Sequence, residues 1–202
     1  MRRFEELGSG DVILYSGKHP LHLRQQEVTG CPWSQVGLVL RSPNNSHAFV
    51  FESTKLSGCR DVRKGEIFHG VQIARLDDRV DTFDGTVAVR QILPRLTSRI
   101  VVRLSDFVEQ VHGCPFNDSK LTAARAFRRR NAPTEGTSFF CSELVAEAFQ
   151  RIGLLPTPPA GLSSNNYIPA DFSSVYPSAQ LPLRMGYCLS AERIVTPPTS
   201  TR

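Results

Sequence analysis

A helix that opens on a cysteine sets the strongest limit on what this chain can become. From Cys141 onward, the apolar residues Leu144, Val145, Ala148, Phe149 and Ile152 recur at helical spacing, which gathers them on one face. Gly153 and Pro156 supply the stop signal. Glu143 falls in the first turn, where a carboxylate suits the positive end of the helix dipole, and Ser138 is the candidate cap. A helix of this kind buries one face, so the rest of the chain must supply a surface to cover it. Its first residue stands among backbone amides that lack a helical partner, a setting that favours thiolate. Cys141 is therefore a candidate nucleophile. The competing reading is a buried structural thiol.

The covering surface is written in the first half of the chain. Val12-Ile13-Leu14-Tyr15, Trp33 to Arg41, Ala48 to Glu52, Val71 to Leu76 and Thr86 to Arg90 read as strands, with a turn at Pro43-Asn44-Asn45 making a hairpin of 33–52. Residues 1–10 read as a lead-in with a short helix ending at Gly8, and 16–32 as a loop. Asp77 to Asp81 reads as a polar turn or short helix. A helix is predicted over 99–112, with Ile100, Leu104, Phe107, Val108 and Val111 on one face, and another over Leu121–Arg130. Residues 156–170 read as a surface loop, and strand-like pieces recur near 183–195. Strands first and helices later argue for an α+β domain with one mostly antiparallel sheet. The expected organisation is a single domain over 1–195 and a disordered tail over 196–202.

The chain has 202 residues, 40% of them hydrophobic, enough for one sizeable core. No apolar run approaches the ~20 residues of a membrane helix, and Met1 to Glu6 lacks the apolar core of a secretory signal. A cytoplasmic location is the expectation. The five cysteines are scattered without CxxC spacing, so neither a disulfide framework nor a metal site is expected. No phosphate-binding or dinucleotide motif is present, and no cofactor is expected. The net charge is +5. The densest basic cluster, Arg125, Arg128, Arg129 and Arg130, is either a solvated surface or a contact for an anionic membrane surface. No nucleic-acid motif accompanies it.

Four stretches, in order, resemble the permuted papain-like amidases, the YaeF/YiiX-like branch of the NlpC superfamily. They are Gly10 to Leu14, Trp33 to Leu40, Phe49 to Ser53 and Phe140 to Val145. Tyr167 to Phe172 is similar to that family's loop after the nucleophile helix, and the likeness spans roughly residues 10–195. The resemblance implies a permuted papain-like fold, its sheet packed against the nucleophile helix. It implies Cys141 as nucleophile and Glu52 as the acid that orients the base. The position of the base itself, a histidine in the family, is held here by Gln35.

A glutamine amide donates and accepts hydrogen bonds but does not titrate near neutral pH. Loss of general acid–base help typically costs ~100- to 10,000-fold, most of all for amides, whose leaving amine needs a proton. His22, in the loop before the Gln35 strand, is the alternative base. His47 is set against by strand parity, since it lies an odd number of residues from Glu52. Trp33, Ser142 and Tyr167 are candidate substrate contacts, Trp33 with core packing as its other reading. Two functions follow. One is a cysteine hydrolase, peptidase or acyltransferase acting on an amide, ester or thioester through Cys141. The other is a catalytically impaired relative whose cleft binds an acyl, peptide or lipid ligand.

Overall fold

In the computed structural model, the described residues are 4–41, 47–56, 58–118, 137–176 and 181–195. The expected 43–45 turn, the Leu121–Arg130 helix with its arginines, and the 196–202 tail lie outside them.

Eight strands and four α-helices are formed by the described residues. Strands β1 (Val12–Gly17), β2 (Gln35–Arg41), β3 (Ala48–Thr54), β4 (Gly70–Arg75), β5 (Gly85–Arg90) and β8 (Arg193–Ile194) make one sheet in the order β4-β3-β2-β1-β5-β8. Every pairing in it is antiparallel. A two-stranded ribbon joins β6 (Ile92–Leu93) to β7 (Cys188–Leu189). The helices are α1 (Pro20–Thr29), α2 (Leu76–Asp81), α3 (Ser98–Val111) and α4 (Cys141–Arg151).

The sheet is covered on both faces. Alternation along β2 and β3 sends Val36, Leu38 and Phe51 into a core shared with α3 and α4, and Val39, Ala48 and Val50 into a second core with Leu76 and Val80 of α2. The parity decides where the polar residues go. Gln35 shares its face with Val39, and Glu52 shares its face with Val50, so both lie on the α2 side while α4 packs on the other.

Three expectations are corrected. Residues 16–32 are not a loop: α1 lies within them, capped by His19, whose Nδ1 accepts from the Leu21 amide, and closed by Gly30 at φ +64°. Residues 156–170 are less exposed than expected, because the polar residues Ser164, Asn165 and Asn166 are buried in a 3₁₀ turn against α4. Nor is residue 138 the cap of α4. That helix starts three residues later, and the Phe140 amide donates instead to Glu143 Oε2 at 3.1 Å.

Candidate functional site

Cys141 is the first residue of α4, and its side chain lies on a cavity of about 430 Å³ together with Gln35, Ser142 and Tyr167. The backbone amides of Val36, Ser142 and Cys141 itself favour the thiolate. Burial nevertheless dominates, pushing the thiol up to about 11, with those amides pulling the other way. At neutral pH the group is a thiol. Ser142 anchors the next loop, its hydroxyl donating to the Tyr167 carbonyl at 2.7 Å.

Gln35 opens β2, so its side chain emerges where the sheet ends, beside the amide of Val36 that meets the thiol. Its Nε2 donates to Glu52 Oε2 at 2.5 Å, and its Oε1 accepts from Thr54 Oγ1 at 3.5 Å. Glu52 is fully engaged. Its Oε1 accepts from Arg79 Nε at 2.7 Å and Gln72 Nε2 at 3.1 Å, and Arg79 Nη2 reaches Oε2 at 3.4 Å. Both ionic partners are buried. Burial acts to lower the Arg79 pKa, and the Glu52 charge more than reverses it, so the guanidinium stays charged. Arg79 also stacks over the Tyr15 ring at 4.5 Å. Register explains Gln72, which stands opposite Glu52 across the β3–β4 pair. Neither Gln72 nor Arg79 carries a signal in the sequence, because sheet register and the fold-back of α2 are what bring them in.

His22 lies on α1 and lines the same cavity. Its Nδ1 is 2.7 Å from Ser34 Oγ, and Ser34 donates to the Tyr15 carbonyl. With the serine proton so committed, Nδ1–H is the donor and Nε2 carries the lone pair. Burial, then Arg79, lower its pKa, which keeps the ring neutral. The other histidines are elsewhere. His47, just ahead of β3, bonds Arg75, and His112 bonds Asp61 at 2.8 Å. Trp33 is buried in the core rather than on the cavity. Asn165, not anticipated, does line the cavity, its Oδ1 accepting from Asn166.

No family model matches the chain, and no curated protein does. Among solved structures, it is similar to the metalloprotein YiiX of Escherichia coli O157:H7, with a TM-score of 0.54 and 14% identity over 95% of this chain and 98% of that one. The likeness is one of fold. No group of three or more His, Cys, Asp or Glu side chains able to hold an ion occurs among the described residues. No helix among those residues is long and apolar enough to cross a membrane. The chain is thus a mixed α/β protein with an antiparallel sheet, in the manner of YiiX.

Proposed function

We propose that this is a permuted papain-like thiol site acting on thioesters and other activated acyl groups, with Cys141 as nucleophile. The observation that carries the reading is that Cys141, the first residue of α4, and Gln35, the first residue of β2 and bonded to Glu52 of β3, line one cavity. Gln35 holds the place and the Glu52 contact of an imidazole without its titration. The substrate class follows from that difference. An amine leaves an acyl group only with a proton supplied, whereas a thiolate leaves without one.

In the reaction, the Cys141 sulfur bonds to the acyl carbon and the carbon–sulfur bond of the substrate breaks. The Cys141 proton passes through water to the departing thiolate. Backbone amides at the start of α4 face the carbonyl oxygen as it gains charge. Water or another acceptor then takes the acyl group and returns the thiol. His22, neutral and on the same cavity, is the candidate to relay that proton from Cys141 to the leaving group.

A second reading, an acyl-binding cleft without turnover, is favoured by the thiol's rise to about 11. Intact-mass spectrometry after incubation with an acyl thioester separates the two. The enzyme reading expects a mass gain of one acyl group, absent in Cys141→Ala, and about tenfold faster acylation at pH 7 in Gln35→His. No adduct in any of the three proteins would leave binding as the function. On either reading, iodoacetamide labelling of Cys141 rises about tenfold per pH unit from pH 7 to 10 without a plateau, as a thiol titrating near 11 requires.

A further inference from the structure

Gln35 has two amide hydrogens and spends one of them on Glu52. Which end of the amide faces which partner is not arbitrary. Glu52 is the counter-ion of Arg79, and an ionised carboxylate only accepts. The NH2 end therefore meets Glu52 Oε2, and the carbonyl end accepts from Thr54 Oγ1. These two bonds together fix the amide plane. They leave the second N–H of Nε2 without a partner among the described residues. The acceptor end, which alone could receive a proton from the thiol, is turned to Thr54.

Gln35 is buried, yet it lines the cavity on which Cys141 lies. It directly precedes Val36, whose backbone amide favours the Cys141 thiolate, and the Glu52 charge is near enough to oppose that thiolate. Gln35 makes no hydrogen bond to the thiol itself, so its second N–H is not spent there. One donor thus belongs to the β2 side of the sulfur, and the amides that open α4 belong to the other. In acyl transfer, the carbonyl oxygen gains charge as sulfur adds to the carbon, and returns it as the leaving group departs. Donors already in place are what that oxygen needs. A buried donor left unpaired costs free energy until such a partner arrives.

Resting on the reading of Cys141 as an acyl site, we propose that Gln35 is a catalytic residue of another kind than the base whose place it holds. Its second amide hydrogen bonds the carbonyl oxygen of the substrate, across from the backbone N–H of Cys141, while the Cys141 sulfur adds to the carbonyl carbon. No proton passes to or from Gln35. The gain expected of Gln35→His is only about tenfold because that change exchanges the donor for a base.

The probe is S-phenyl thioacetate, followed by thiophenol release from pH 6 to 9. Gln35→Met has nearly the same shape and no N–H. It should lower the second-order rate constant about 100- to 1,000-fold, by the same factor at every pH, because no titrating group is removed. Gln35→Ser, too short to reach the oxygen, is the second variant and should behave alike. Iodoacetamide is the control: it alkylates the thiol by displacement at a saturated carbon, where no carbonyl oxygen gains charge. Cys141 should be alkylated in both variants within about twofold of the wild-type rate. Equal acylation of wild type and both variants would overturn the proposal and leave the Cys141 reading standing. Parallel loss of acylation and alkylation would also overturn it, since Gln35 would then serve the thiol or the fold and not the oxygen. So would a loss that changed with pH, which would assign Gln35 to the proton path. No thiophenol release and no acyl adduct in wild type would overturn the acyl reading, and this inference with it.

Discussion

Glu52 serves two groups that ask different things of it. Gln35 uses it as an acceptor, as an imidazole would, while Arg79 uses it as the counter-ion of a fully buried cation. Because the pair is already neutral, an amide at position 35 completes the hydrogen bonding without adding charge. The carboxylate is therefore structural whatever the site does. Glu52→Gln should destabilise the protein by about 3–5 kcal/mol, because it leaves the Arg79 charge buried and unpaired. Adding Arg79→Met to that variant should restore at least half of the loss, as read from urea denaturation midpoints. If Glu52→Gln alone proved neutral, the ion pair would not be holding β3 to α2. Cys141 stood out in the sequence as the first residue of a periodic helix, whereas Gln35 and Glu52 stood out only through the family resemblance. Arg79 was hidden in a stretch that reads as a polar turn or short helix, with nothing to mark its partner.

Elements were legible in proportion to how well their apolar residues point at the core. The strands β1 to β5, α3 and α4 alternate or recur with the right period and fall close to their expected spans. Helix α1 was missed because its burial is inverted: the inward positions are His22 and Thr29, so periodicity pointed nowhere. The start of α4 carries a pH-dependent cost of its own. Burial raises the Glu143 carboxyl to about 7, against an ordinary value of 4.5, with the Phe140 amide and the Asn117 side chain opposing it. The fold thus prefers the protonated acid. Its favourable contribution is complete below about pH 4.5 and is lost as pH rises through 7. Glu143→Gln keeps an oxygen for the Phe140 amide and never ionises. It should match wild type near pH 4 and exceed it by on the order of 2–3 kcal/mol at pH 8, read from denaturation midpoints across that range. A variant less stable than wild type at pH 8 would mean that the carboxylate charge at the helix start outweighs its burial.

Across the whole molecule, the cavity depends on a sheet whose β1 side is closed by the far end of the chain. The strand β8 pairs with β5, and β7 pairs with β6, so residues after 187 complete structure begun before residue 94. Arg90 fastens that closure. Its Nε donates to the Ser190 carbonyl at 2.7 Å, Nη1 to that of Phe172 at 2.7 Å and Nη2 to that of Leu189 at 3.2 Å. Nothing in the sequence singles out Arg90, which reads there as the last residue of a strand; its partners lie 82–100 positions away. Phe172 is buried in the same core as Tyr167, which lines the cavity, so the fastening also sets one wall of the site at a distance. Arg90→Met fills much of the same volume but donates nothing. It should cost about 2–4 kcal/mol for three charge-assisted bonds and the carbonyls left behind. It should also raise amide hydrogen exchange over residues 188–194 at least tenfold while leaving β2 and β3 protected. Exchange that rose equally in β2 would mean that the closing segment and the site-bearing strands open as one cooperative unit. Exchange confined to 188–194 would mean that the C-terminal segment is a clasp added to a sheet that holds Gln35, Glu52 and Cys141 together without it.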